Sequence, residues 1–180
     1  MLTLFQSSLI TGFVLSLLGV LLIKPQPAIK AILLNFPRST KCSFLFIGIA
    51  TSWFLWRHVA FLSEADFGNY KLLIGSVALG TAILSFIYVP DFLAVRGLAM
   101  VLLLWAREVL DSAFLQDSVS RLFLVTIIYI LIVLSIYFGT WPYKMHEFIS
   151  WLNRTSGRIS LVGYLITLVG ITIIILTFTY

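Results

Sequence analysis

The stretch Leu122–Phe138 reads LFLVTIIYILIVLSIYF, without a charge, a glycine or a proline. Only hydroxyls interrupt it: Thr126, Ser135, Tyr129 and Tyr137. A helix needs ~20 apolar residues, with a range of ~17–25, to cross the ~30 Å hydrocarbon layer of a bilayer. Inside that layer the backbone must satisfy its own hydrogen bonds, which leaves a helix or a closed barrel. Ile159–Phe178 is a second uncharged run of the same kind.

Working outward, four more stretches approach that length. Leu4–Ile23 is ended by Lys24, Pro25 and Pro27, and Leu72–Val89 by Pro90 and Asp91. Cys42 to about His58 and Phe92–Phe114 are apolar but carry charges towards one end. The expectation is therefore an all-α, polytopic transmembrane helix bundle of six spans, built as a single integral membrane domain over 1–180.

Composition agrees. Of 180 residues, 61% are hydrophobic and 11% charged, against ~45–50% and ~25% in soluble proteins. That excludes a soluble domain, a disordered tail and a collagen-like repeat. Cys42 is the only cysteine, which excludes an intrachain disulfide and a thiolate metal cluster. Met1–Ser8 has no Lys or Arg. A secretory signal needs a basic leading region, so the first stretch is expected to stay as a span.

The net charge is +5. Its basic residues lie between apolar spans, so the expected partner is the lipid bilayer with its anionic headgroups, not nucleic acid. Lys24, Lys30, Arg38, Lys41, Arg96, Lys144, Arg154 and Arg158 fall on one side, and Arg57, Lys71, Arg107 and Arg121 on the other. The acids Glu64, Asp66, Glu108, Asp111 and Asp117 lie on the basic-poor side. The Lys/Arg bias of short loops then puts both termini on the non-cytoplasmic side of a plasma or bacterial inner membrane.

The two basic connectors are alike. Pro27 leads into an amphipathic segment with Ile29, Ile32, Leu33 and Phe36 on one face, then Arg38–Ser39–Thr40–Lys41. Pro142 leads into one carrying Phe148, Ile149, Trp151 and Leu152, then Arg154–Thr155–Ser156–Gly157–Arg158. Proline opens a helix without losing a hydrogen bond. Each segment (28–36 and 143–152) is expected as a short helix lying in the interface. Ser39/Thr40 and Thr155/Ser156 stand where they would cap the next span. The likeness suggests an internal duplication of 4–58 and 122–178; the plainer alternative is that basic membrane hairpins look this way.

Ser8, Gly12 and Ser16 recur every four residues, as do Ser76 and Gly80, while Gly163 and Gly170 punctuate the last span. Small residues at such spacing let helix backbones approach closely. They read first as packing within this chain, and second as an interface with another subunit or a second copy.

The candidate polar site is an ionisable cluster. Arg57 and His58 end the second span, while Arg107, Glu108 and Asp111 come near the end of the fourth. With no Gly or Pro in Ala106–Leu110, the fourth span should run on through Asp111, and Arg107 and Asp111 then have ion-pair spacing. Ionisable residues at membrane depth usually face the bundle interior or a wet cavity. Arg57 or His58 opposite Glu108 or Asp111 would make a proton-relay or anion site. The alternative is interfacial anchoring by snorkelling Arg and a Trp belt of Trp53, Trp56 and Trp105.

No catalytic constellation is recognisable, and whether the chain is an enzyme stays open. His58 and His146 are expected on opposite faces, so no shared metal or haem is expected, nor any other cofactor. The reading is a multi-pass membrane protein, foremost a structural or accessory subunit of a complex. A small-solute or proton-coupled ion transporter comes second, and an intramembrane enzyme third. A transporter should show a polar cavity between the second and fourth spans; an accessory subunit should show an exposed stripe of small residues.

Overall fold

The structure is a computed structural model that describes residues 2–24, 26–63 and 68–179. Pro25, Glu64, Asp66 and the side chain of Ser156 lie outside the described residues. The chain is all-helical, 85% helix without strands among the described residues. Eight α-helices follow one another among the described residues: α1 (Leu4–Ile23), α2 (Pro27–Asn35), α3 (Thr40–Phe54), α4 (Lys71–Tyr88), α5 (Leu93–Ala113), α6 (Arg121–Thr140), α7 (Pro142–Asn153) and α8 (Ser156–Thr177). A π-helical turn, Leu55–Val59, prolongs α3.

Among the described residues, four helices are long and apolar enough to cross a membrane: Leu4–Ile23, Gly68–Tyr88, Arg121–Thr140 and Gly157–Thr177. The two other expected spans are helical but differ in kind. The α-helical part of α3 has only 15 residues, and α5 carries Arg96, Arg107, Glu108 and Asp111.

The helix starts follow local chemistry. At α1, Thr3 Oγ1 accepts from the Gln6 amide (3.3 Å) and Gln6 Oε1 accepts from the Thr3 amide (3.2 Å), a capping box. Both connectors are helices opened by proline, Pro27 and Pro142. The second buries Ile149 and Leu152, whereas α2 has no buried residue. On α7 the Glu147 carboxylate, 2.8 Å from Lys144 Nζ, holds that ammonium above the ordinary lysine range.

The two expected caps behave differently. Ser39 Oγ accepts from the Cys42 amide at 3.3 Å. Thr155 occupies the N-cap of α8 without a side-chain capping bond. Ser39→Ala should therefore lower stability by about 1 kcal/mol, and Thr155→Ala by less, as read from unfolding in detergent micelles. Equal losses would show that the Ser39 bond contributes nothing.

α1 and α8 pack antiparallel at backbone distance. A Cβ on Gly12 would stand 2.9 Å from the Gly170 carbonyl oxygen, and one on Gly163 2.7 Å from the Ile23 amide nitrogen. Phe5 meets Phe178 edge-on at 6.0 Å, and Ser160 Oγ donates to the Ile23 carbonyl at 2.7 Å. The start of α1 and the end of α8 thus lie at one end of the bundle, and the connectors, with α2 against α7, at the other.

α5 is the central helix. Its Gly97 admits α3 so closely that a Cβ would lie 2.9 Å from Phe46 Cβ. Its later part forms, with α1, α6 and α8, a core of Leu4, Ala106, Val109, Ala113, Leu124, Ile128 and Ile173 at the terminal end. Phe92, which precedes α5, adopts a left-handed conformation (φ 57°). That costs a side-chain-bearing residue about 1–2 kcal/mol. The Phe92 ring is contacted by Arg38 (5.4 Å) and His146 (6.2 Å).

α4 differs from the other long helices: none of its residues is buried. It is held near its two ends, at the first of them partly by Lys71 Nζ, which donates to the Ala60 carbonyl at 3.3 Å. Phe86 stacks on Phe44 of α3 at 4.2 Å, and Gly75 approaches Leu55 and Val59 of the π turn. Gly80 has nothing within 4 Å of a built Cβ, and Ser76 is exposed. The expected small-residue packing thus occurs on α1, where it meets α8, and not on α4.

Candidate functional site

The five ionisable residues singled out from the sequence come together where the far end of α3 meets α5. Arg57 grips Glu108 with both prongs: Nε donates to Oε1 at 2.8 Å and Nη2 to Oε2 at 3.2 Å. Glu108 is only 8% exposed. Its neighbour Val109 is fully buried in the core, so the carboxylate sits at the lip of an apolar layer. A bidentate guanidinium–carboxylate pair fixes direction as well as charge.

Arg107 Nη1 lies 2.9 Å from His58 Nδ1. A guanidinium has donors only, so the imidazole presents its lone pair there. Arg107 Nε also lies 3.8 Å from Asp111 Oδ2, the expected i,i+4 pair, with both side chains more than half exposed. In double file, Arg57 meets Glu108 and His58 meets Arg107.

The local backbone explains how two consecutive residues of one helix both reach another. The Ala60 amide donates to the Leu55 carbonyl, five residues back, at 2.9 Å. This π turn inserts one residue into the helix and turns Arg57 and His58 together towards α5. Single π turns inside α-helices occur frequently at functional sites. Leu55–Val59 contains neither Gly nor Pro, so nothing in the local sequence announced the turn.

Hydroxyls complete the site and were not singled out beforehand. Ser7 Oγ of α1 and Ser112 Oγ of α5 are 2.7 Å apart, and Trp105 Nε1 donates to Thr11 Oγ1 at 3.2 Å. Trp53 of α3 meets Trp105 edge-on at 6.3 Å. The readable signal was Ser7 and Thr11, one helical turn apart early in α1. Such hydroxyls need a partner when buried.

Beside the cluster lies a recess of about 610 Å³, lined by Thr3, Arg57, Glu108, Asp111, Ser112 and Gln116 among others. Between α3, α4 and α5 lies a larger groove of about 870 Å³. It occupies the place where a transporter should show a polar cavity, but its walls are mainly Ile, Leu, Val, Ala and Phe.

His58 and His146 are well separated. His146 stands by Phe92 at the start of α5 and His58 by Arg107. The intervening 15 positions of α5 correspond to ~22 Å. Among the described residues no group of three His, Cys, Asp or Glu could hold a metal ion. What the cluster can do is bind a small polar or charged species at the recess, or lock α3 to α5. Comparison of the chain with protein-family models, curated proteins and solved structures finds no match.

Proposed function

We propose that this protein is a six-span structural or accessory subunit of a membrane complex, with both termini on the non-cytoplasmic side. In this reading the α3–π segment and α5 cross the bilayer beside the four more apolar helices. The Arg57–Glu108 pair is then an interhelical lock.

The observation that carries the reading is α4, an apolar helix with no buried residue. A helix that is apolar all round finds its place inside a larger assembly or in lipid. On α4 the uncovered Ser76 and Gly80 leave room for a second backbone, as small residues do at transmembrane interfaces. The small residues of α1 are already used against α8, which leaves α4 as the docking helix.

The test uses thiol cross-linking in native membranes, with Cys42→Ala as background and Ser76→Cys as probe. Ser76→Cys is expected to join a second polypeptide, and Gly80→Trp to abolish the adduct. A chain that stays uncross-linked and purifies alone would overturn the reading. Transport is the second reading, favoured by the recess beside the nearly buried Glu108. It requires a proton flux in liposomes containing the protein alone, lost in Glu108→Gln.

A further inference from the structure

The groove between α3, α4 and α5 is a feature that neither the accessory nor the transport reading uses. It exists because α4 is held near its two ends, at Phe86 by Phe44 and around Gly75 by Leu55, Val59 and the Lys71–Ala60 hydrogen bond, and stands away from α5 between them. Those two points are 11 positions apart on α4, or ~16 Å. That is about half of the ~30 Å hydrocarbon layer, the depth of one leaflet. The volume of about 870 Å³ falls in the ~300–1,000 Å³ range of small-molecule sites.

The walls are mainly apolar along their length. Three hydroxyls stand in the walls: Thr51 on α3, and Thr81 and Ser85 on α4, whose hydroxyls donate back to their own helix, to the Val77 and Ala82 carbonyls. The charges lie at the ends. At the terminal end is Arg107, already engaged with His58 and Asp111. At the connector end is Arg96, half-buried in the first turn of α5.

Arg96 is the anomaly. No ion pair or side-chain hydrogen bond to it occurs among the described residues. Asp91, the acid nearest in sequence, is exposed and does not pair with it. A half-buried guanidinium without a counter-charge is costly. It stands at the basic end of the molecule, where Arg38 lies over the Phe92 ring.

From a leaflet-deep apolar groove and an unpaired cation at its mouth, we infer that the groove binds an anionic phospholipid. One acyl chain lies along α5 between α3 and α4, and the phosphate sits on Arg96. The lipid would fill the space that α4 leaves and supply the counter-charge that no described residue gives Arg96. The outer stripe of α4, with Ser76 and Gly80, does not line this groove, so the site is independent of any subunit docked there.

The test measures binding of phosphatidylglycerol and phosphatidylcholine to the full chain in detergent by native mass spectrometry, with thermal stability as a second readout. Phosphatidylglycerol should bind more tightly and raise the melting temperature more. Arg96→Gln should weaken phosphatidylglycerol about tenfold to a hundredfold, as for loss of a charge-assisted bond, and leave phosphatidylcholine unchanged. Arg154→Gln removes the same charge from the same end of the bundle, outside the groove, and should keep the preference. Ala82→Phe, which fills the groove, should weaken both lipids while the protein remains folded and monodisperse.

Three results would overturn the proposal. One is no preference for the anionic lipid in the unmodified protein. Another is an equal loss in Arg154→Gln and Arg96→Gln, which would mean diffuse attraction to a basic surface. The third is reproduction of the full stabilisation by inorganic phosphate, which would mean an anion site without a chain. Should Ala82→Phe misfold, the Arg96→Gln and Arg154→Gln pair decides alone.

Discussion

Gly163→Leu is expected to separate α8 from α1 and to cost the bundle more than any surface change. A Cβ at Gly163 would lie 2.7 Å from the Ile23 nitrogen, 2.8 Å from the Leu22 carbonyl carbon and 2.9 Å from the Gly19 carbonyl oxygen. All three are backbone atoms, so no side chain can swing away to make room. In lipid the hydrophobic effect does not hold helices together, since the tails are as apolar as leucine; close packing does. Overpacking typically costs ~1–3 kcal/mol, and here the upper end applies, because the whole α1–α8 seam must open. Unfolding in detergent micelles gives the measure. Gly48→Ala is the contrast: nothing lies within 4 Å of its built Cβ. It should be neutral or stabilising by up to ~1 kcal/mol through helix propensity. If Gly163→Leu unfolds like the unmodified chain, the seam is not what joins the two helices.

The residues that define that seam show what the sequence could and could not reveal. Gly12 and Ser16 were legible as a small-residue stripe, and so were Gly163 and Gly170, because spacing along one helix is a local property. Their mutual fit was not, since it depends on α1 and α8 running antiparallel. Gly19 was overlooked because it follows Ser16 by three positions rather than four, yet its carbonyl lies against Gly163. Ser76 and Gly80 carry the same spacing and remain uncovered; spacing says that a helix can approach, not that one does. The helix limits were legible where a charge or proline changes the solvent preference abruptly, as at Leu4–Ile23. The π turn was illegible, because Leu55–Val59 holds no Gly or Pro to mark it. Arg96 was legible only as one more basic residue; its lack of a partner is a fact of packing.

Removing the Glu108 charge is expected to have the other large effect, and its pattern separates a lock from an anchoring fringe. Glu108→Gln keeps the shape of the side chain but leaves Arg57 with a neutral partner at the edge of the apolar core formed by Ala106, Val109 and Ala113. Breaking a fully buried pair costs ~3–5 kcal/mol. Arg57 keeps a third of its side chain exposed, so water recovers part of that loss, and a cost of about 2–3 kcal/mol follows for Glu108→Gln. Asp111→Asn should cost less than 1 kcal/mol, since the Arg107–Asp111 pair is mostly solvated. The cluster thus contains one contact that stabilises and one that barely does, although the two acids are three residues apart. The double variant Arg57→Met/Glu108→Leu makes the distinction sharp. A lock replaced by apolar side chains of similar size should recover much of the stability lost in Glu108→Gln, because no orphaned charge remains. Stability then returns whether or not the site has a second role. If the recess serves proton-coupled transport, flux stays lost in this stable double variant. If the pair only joins α3 to α5, the cross-linking proposed for Ser76→Cys returns together with stability. A Glu108→Gln protein as stable as the unmodified one would mean that Arg57 merely snorkels, and the interhelical lock would have to be abandoned.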